Sequence, residues 1–187
     1  MRLFIGIALP DDIRARIFAL SETLSPAVPS AKWVVAPSLH ITLKFLAENP
    51  PERVSEITDA MSRAFAGASP FEMTLDRIGM FPSPKHARVL WLGVSDGFAE
   101  TTDLAASLDR ELEQIGFRAE ERPYHPHITL ARLRVPRPLA QLAEDASAGT
   151  PPLAASVSVA RVTLFESKLS RAGAQYFTVE EVPLGSA

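Results

Sequence analysis

His40-Ile41-Thr42-Leu43-Lys44-Phe45-Leu46 and His127-Ile128-Thr129-Leu130-Ala131-Arg132-Leu133 are two copies of one strand pattern in a chain of 187 residues. The chain has only four histidines, and two of them head these identical His-Ile-Thr-Leu tetrapeptides. Successive side chains of a β-strand alternate between its faces. Each copy therefore sets histidine and threonine on one face and isoleucine and leucine on the other. The aliphatic pair can anchor in a core, while the imidazole and hydroxyl are left for a cleft. The copies stand nearly half a chain length apart, and each is followed by a helix-like segment and further strands. That spacing predicts two similar lobes related by a pseudo-twofold, each presenting its His-Thr strand to a shared cleft.

Helical periodicity fills the intervals. Asp11–Leu24 carries Ile13, Ile17, Leu20 and Leu24 on one face, with aspartate at its start. Residues 51–65 repeat the pattern with Val54, Ile57, Met61 and Phe65, and residues 97–115 with Leu104, Leu108, Leu112 and Ile115 before Gly116. A shorter helix is expected over 138–146. Strand-like runs cover 3–9, 32–35, 40–46, 71–79, 88–94, 127–133, 156–165 and 175–182. Prolines gather at the joints, at positions 26, 29, 37, 50, 51, 82, 84, 151 and 152, and none marks a long linker. Strands arriving in adjacent pairs between helices favour antiparallel pairing over a doubly wound parallel sheet. The expectation is an α+β fold: bilobal, with two pseudo-symmetric antiparallel sheets flanked by helices around a central cleft, forming one domain over residues 1–187.

Composition narrows the partners. A hydrophobic fraction of 47% with 22% charged residues is that of an ordinary globular chain. The net charge of −3 disfavours general binding to nucleic-acid backbone, which relies on an excess of Lys and Arg. A small phosphate-bearing end needs only a few local cations. Cysteine is absent, which removes disulfides, thiolate metal sites and cysteine nucleophiles. The run Leu3–Leu9 is at the short limit for a signal peptide, lacks a small-residue cleavage site and ends in Pro10-Asp11-Asp12, so it reads as a buried first strand. No segment approaches the ~20 apolar residues needed to cross a bilayer. The chain is expected in the cytoplasm, as a monomer without an obligate protein partner or a membrane.

Two imidazoles facing one cleft disfavour double protonation, so they titrate as a coupled pair around the ordinary histidine value of about 6.5. One ring can then take a proton from water while the other protonates a departing oxygen. The threonine hydroxyls can donate to non-bridging phosphate oxygens, where charge builds during attack. That equipment suits opening of a cyclic phosphodiester with no metal or other cofactor.

These motifs resemble those of the two-histidine phosphoesterase superfamily, and within it the bacterial and archaeal RNA 2',3'-cyclic phosphodiesterases, once called 2'-5' RNA ligases. The likeness runs through nearly the whole chain. Arg2–Pro10 is similar to the family's opening strand, and Trp33 with His40–Leu46 to its first motif block. Gly79–Pro84 and Arg88–Val94 resemble its middle, and Pro126–Arg132 its second block. Leu164–Leu169, Gly173 and Tyr176 resemble its closing strands. The resemblance implies opening of a terminal RNA 2',3'-cyclic phosphate, or a small cyclic nucleotide, to the 2'-phosphate. It implies that His40 donates the proton to the leaving 3'-oxygen and His127 activates water, an assignment the equivalent motifs do not themselves make. Thr42, Thr129 and Arg132 carry over as phosphate ligands, with no metal. The family's first block continues Phe-Leu-Gly; here Ala47 stands at the glycine position, which bears on the local turn.

Other residues have weaker claims. Strict alternation from His127 turns Arg132 away from the cleft, so a role there needs a bulge or a twist. The same alternation gives Lys44 the parity of His40 and Thr42, as a cleft residue or an exposed strand-end lysine. It sends Phe45 into the core instead of against a nucleobase. His125 reads as a loop residue at the cleft rim, not one of a metal pair with His127, and His86 as a solvated loop residue. Arg132, Arg134 and Arg137 form a cluster that could guide RNA. Trp33 and Trp91 read as core and Glu48 as surface. The rival reading from another class is a non-catalytic nucleotide or RNA-end binder that keeps the cleft without the chemistry; a metal-dependent phosphatase is a third.

Overall fold

The computed structural model describes residues 1–148, 155–170 and 173–185. Its strands are β1 (Arg2–Ala8), β2 (Lys32–Trp33), β3 (His40–Glu48), β4 (Phe71–Phe81), β5 (Ala87–Val94), β6 (His127–Arg137), β7 (Ala155–Val159), β8 (Arg161–Ser170) and β9 (Gly173–Pro183). The helices are α1 (Asp11–Leu24), α2 (Val54–Phe65), α3 (Phe98–Glu113) and α4 (Ala140–Ser147). All four expected helices are present, and they bury most of the residues their periodicity selects; Val54 and Ile115 are only half-buried, and Ile115 lies just past the end of α3. Ile13, Ile17, Leu20 and Leu24 of α1 are buried, as are Ile57, Met61 and Phe65 of α2 and Leu104, Leu108 and Leu112 of α3. None of the helices among the described residues is long and apolar enough to cross a membrane. Pro151 and Pro152 lie outside the described residues.

The strands run in the order β7-β4-β5-β6-β3-β1-β8-β9, with β2 attached to β6. Every pairing is antiparallel. Two four-stranded halves are visible in this order, each ending inward on a motif strand. In one half β1, α1 and β3 make an antiparallel pair with a helix between; in the other, β5, α3 and β6 repeat that unit. The halves are joined between β3 and β6 by a single register pair, Ile41 opposite Ile128. Beyond it the strands part, and β2 occupies the vacated edge of β6 through Lys32–Arg132 and Trp33–Ala131. The two expected sheets are thus fused through a narrow seam, and the pseudo-twofold passes through that isoleucine pair.

The run expected as one strand over 156–165 divides between the halves. Residues 155–159 pair with β4, and residues 161–170 pair with β1 on the far side. Ala160 and Arg161 are both exposed, so the buried positions step from Val159 to Val162 and the alternation slips where the chain changes halves. Ile5, Ile17, Ile41, Leu92, Leu108, Ile128 and Leu164 all belong to one buried cluster. The aliphatic faces of both motif strands are therefore locked against helices and neighbouring strands.

Candidate active site

Both motif strands have the same burial sequence. His40 and Thr42 are half-buried, Ile41, Leu43 and Lys44 are buried, Phe45 is exposed and Leu46 is buried; His127 through Leu133 repeat this position by position. Each strand carries a β-bulge at its motif leucine. Lys44 pairs with Ile5 and Thr42 with Gly6, which skips Leu43; Ala131 pairs with Leu90 and Thr129 with Trp91, which skips Leu130. A bulge inserts one residue and shifts side-chain parity beyond it. Phe45 and Arg132 consequently emerge on the His-Thr side, while Lys44 and Ala131 turn inward. This corrects two expectations: Phe45 is 64% exposed, not core, and Lys44 is 5% exposed, not a solvated strand-end lysine; it borders the larger flanking cavity but is absent from the cavity at the histidines. The bulge that Arg132 needs is present.

Antiparallel register about Ile41–Ile128 sets His40 across from Thr129 and His127 across from Thr42. Around this crossing lies a cavity of about 90 Å³ whose lining includes His40, Thr42, His127, Thr129, Arg132 and Tyr176. All five residues that the sequence points to meet there. Tyr176 is the addition: it lies on a distant strand, and only the fold brings it across. Its ring meets His40 edge-on, with centroids 4.9 Å apart.

The two imidazoles are oriented alike. His40 Nδ1 lies 2.8 Å from the Ser38 carbonyl and His127 Nδ1 lies 2.7 Å from the His125 carbonyl. A carbonyl oxygen only accepts, so each Nδ1 carries the proton and each Nε2 is left for exchange. In the neutral ring His40 Nε2 accepts from the Thr42 hydroxyl at 2.9 Å. Burial lowers the pKa of both histidines from 6.5, opposed by the bond to the carbonyl; each also has cationic neighbours, His127 acting on His40, and His125 and Arg132 acting on His127. The pair is thus held towards its neutral forms until an anion enters.

Aromatic walls fix the rings. Phe4 lies 4.8 Å from His40, and Phe81 lies 5.0 Å from His127, measured between centroids. Trp91 is half-buried and stands behind the second motif, 6.2 Å from His127 and 4.7 Å from His125. Its indole lies across Gly79 and Gly93, where a β-carbon would enter the ring. The reading of Trp91 as core is therefore modified, since it is a wall of the site; Trp33 packs on the core as expected. His125 stands in the loop before β6 against Trp91 and Phe81, and His86 is exposed. Among the described residues no group of three or more His, Cys, Asp or Glu side chains converges on a metal-sized site.

Larger spaces flank the small cavity. On the His127 side a 650 Å³ cavity is bounded by Phe45, Phe81, Arg88, Arg122 and Tyr124. On the His40 side a 320 Å³ recess is bounded by Arg2, Phe4, Phe45, Ala47 and Tyr176. The loop between α3 and β6 walls the larger space and is tied to β3 twice. The Tyr124 hydroxyl, its pKa raised by burial, donates to the Thr42 carbonyl at 2.9 Å. Lys44 donates to the Arg118 carbonyl at 2.7 Å, pairs with Asp109 of α3 and approaches Glu120 at 3.5 Å.

Similarity to known proteins follows the same lines. The family profile described as the 2'-5' RNA ligase superfamily matches residues 9–170. An RNA 2',3'-cyclic phosphodiesterase of Methanothermobacter thermautotrophicus is 35% identical over 96% of this chain and 97% of its own. One of Thermotoga maritima is 33% identical over 97% and 94%. Among solved structures, a Thermus thermophilus protein superposes with a TM-score of 0.81 at 27% identity, covering 99% of this chain and 98% of that one. LigT of E. coli in complex with 3'-AMP superposes with a TM-score of 0.78 at 29% identity, covering 98% and 97%. Family profile, fold and near-complete coverage agree: the chain belongs to the 2'-5' RNA ligase superfamily.

Proposed function

We propose that this chain is an RNA 2',3'-cyclic phosphodiesterase that hydrolyses the terminal cyclic phosphate to a 2'-phosphomonoester, without a metal, through His40 and His127. The observation that carries the reading is the pair of imidazoles with Nδ1 tied to main-chain carbonyls around a cavity the size of one phosphate. The names of the relatives and the nucleotide complex of LigT support an RNA or nucleotide substrate.

In this mechanism Thr42, Thr129 and Arg132 hold the non-bridging oxygens, the guanidinium offering paired donors to the anion. His127 Nε2 takes a proton from water as its oxygen attacks phosphorus. The bond from phosphorus to O3' breaks, and His40 Nε2–H delivers its proton to that oxygen. The products are a 2'-phosphate and a free 3'-hydroxyl; the histidines then re-equilibrate their protons with solvent. Desolvation favours neutral imidazole, which suits the base. The acid needs a proton, and the bound phosphate anion stabilises the imidazolium form of His40.

The test is turnover, in EDTA, of an oligoribonucleotide ending in a 2',3'-cyclic phosphate by wild type, His40→Ala and His127→Ala. Wild type should release the 2'-phosphate, and each substitution should reduce kcat by ~10²–10⁴, the usual contribution of one general acid or base. A folded wild type that binds this end without turnover would instead establish the non-catalytic binder. Activity abolished by EDTA and restored by a divalent cation would establish metal-dependent chemistry.

A further inference from the structure

Resting on that reading, we infer that His125, which lies outside the phosphate cavity, is the positioning residue for the general base. Its ring, seated among Phe81, Trp91 and Phe98, holds the main-chain carbonyl that keeps the proton of His127 on Nδ1 and turns Nε2 to the cavity. Each motif histidine needs Nδ1 engaged in this way, so that Nε2 is the nitrogen that exchanges protons. In both halves of the fold the acceptor is the carbonyl two residues earlier, Ser38 for His40 and His125 for His127. The halves hold that carbonyl in different ways.

Ser38 sits in a hydrogen-bonded turn. Its N–H donates to the Val35 carbonyl at 2.9 Å, the Leu39 N–H donates to the Ala36 carbonyl at 3.2 Å, and the Ser38 hydroxyl donates to the Ala174 carbonyl of β9 at 3.2 Å. The backbone before His40 is thus fixed by its own hydrogen bonds. Residues 118–126, by contrast, have no main-chain to main-chain hydrogen bond among the described residues. Pro123 and Pro126 lack the donor altogether. The last three residues before His127 are held by side chains instead: the Tyr124 hydroxyl on the Thr42 carbonyl at 2.9 Å, the buried Pro126 ring, and the ring of His125.

Three elements build the seat of that ring. Phe81 of β4 and Phe98 of α3 meet it edge-on, with centroids 5.6 and 5.8 Å away, and Trp91 of β5 lies 4.7 Å away. Gly79 and Gly93 leave the space in which the indole lies. Gly97, at φ = 77°, opens α3 where a β-carbon would stand 2.8 Å from the Glu72 carbonyl, and the left-handed turn it allows leads directly into Phe98. His125 Nδ1 is buried without a hydrogen-bond partner among the described residues, so packing on the aromatic rings holds the imidazole in place.

The experiment reads the His127 tautomer by nitrogen–proton NMR correlation in the ligand-free protein, and kcat and KM on an oligoribonucleotide ending in a 2',3'-cyclic phosphate. Wild type is compared with His125→Ala, His125→Phe and Phe98→Ala, with thermal unfolding as the check on folding. Wild type should show His127 as the Nδ1–H tautomer. His125→Ala should mix in the Nε2–H tautomer and lower kcat by about ten- to a hundredfold, the scale of a base misplaced by up to about 1 Å, with KM within about twofold of wild type. His125→Phe, which refills the seat, should restore both the tautomer and kcat. Phe98→Ala removes one wall of the seat from its exposed side and should move both readouts in the same direction by less; it carries the test if His125→Ala does not fold. The double variant His125→Ala/His127→Ala should be no slower than His127→Ala, because the ring acts through that base. An unchanged tautomer and kcat in a folded His125→Ala, or in Phe98→Ala where His125→Ala does not fold, overturns the inference. So does a His125→Phe variant that keeps the tautomer yet is as slow as His125→Ala, since the imidazole would then take part in the reaction itself. Wild type without turnover would refute the hydrolase reading, and the His127 tautomer, read without substrate, would still decide the positioning role.

Discussion

Replacing Lys44 with methionine removes a buried charge while keeping an unbranched chain of similar length, and it isolates the link between the first motif strand and the cleft wall. The ammonium donates to the Arg118 carbonyl at 2.7 Å and pairs with Asp109, whose other oxygen accepts the Glu120 backbone N–H at 3.0 Å. Breaking a fully buried pair costs about 3–5 kcal/mol. Asp109 is 22% exposed and keeps its bond to Glu120, so its charge is less stranded than in that limit. Loss of charge-assisted hydrogen bonds, worth about 1.5–3 kcal/mol each, sets the lower scale. An expected destabilisation of about 2 kcal/mol follows, or about 4–8 °C in Tm for a chain of this length. The assay is urea and thermal unfolding of wild type, Lys44→Met, Asp109→Asn and the double variant. The two single effects should be non-additive, with a coupling of about 1 kcal/mol or more. KM should rise more than kcat falls, because Lys44 holds a wall and touches no reacting atom. Additive effects, or a Lys44→Met variant as stable as wild type with unchanged KM, would refute the clamp.

The remaining predictions address the reaction and the turn. Because both histidines are lowered from 6.5 in the free protein, the singly protonated pair is most populated on the acid side of that value. The profile of kcat/KM against pH should be bell-shaped with its maximum below about 6.5, and a flat profile between about pH 5 and 8 would exclude the pair as acid and base. The same shifts make the unfolded chain bind more protons just below 6.5, so stability of the ligand-free protein should fall as pH drops through that window; Tm measured in steps from pH 7 to about 5 checks the sign. Arg132→Gln should lower kcat/KM by about ten- to a hundredfold, from loss of one charge-assisted contact of roughly 1.5–3 kcal/mol, as read in steady-state assays with thermal unfolding as the control. Ala47 has φ = 60°, the one positive φ outside glycine among the described residues. Left-handed backbone costs a residue with a β-carbon roughly 1–2 kcal/mol, so Ala47→Gly should raise Tm by about 2–4 °C; a decrease would show that the greater freedom of glycine in the unfolded chain dominates.

The elements legible in the sequence are those whose period stays constant. Ile13 to Leu24 and Val54 to Phe65 keep helical spacing from end to end, and the helices appear where that spacing runs. His40 and His127 are legible because a repeated tetrapeptide on an alternating strand fixes a shared face without reference to any other element. What connects the two histidines is not legible: a single isoleucine pair makes the seam, and no local pattern announces a contact between strands so far apart in the chain. Tyr176 is hidden for the same reason, since it reaches His40 only through the pairing of β9 with β8 and of β8 with β1.

The misplaced residues share one cause, and it leaves a trace. In both motif blocks the apolar positions run at a spacing of two and then three, from Ile41 and Leu43 to Leu46 and from Ile128 and Leu130 to Leu133. The step of three marks the bulge. Extending strict alternation across it puts Phe45 in the core and Lys44 beside the histidines, the reverse of what the structure shows. The identity of the residues conceals the break, since a phenylalanine suits a core and a lysine suits solvent. The Asp109 and Glu120 carboxylates and the Arg118 carbonyl, all supplied from outside the strand, make a buried Lys44 tolerable. The same change of spacing, from Val159 to Val162, marks the point where one apparent strand becomes two. A step of three within an alternating run is therefore a positional signal in its own right: it locates the residues that change face. In this chain those are Phe45 and Arg132, which the bulges deliver to the phosphate cavity from opposite halves of the fold.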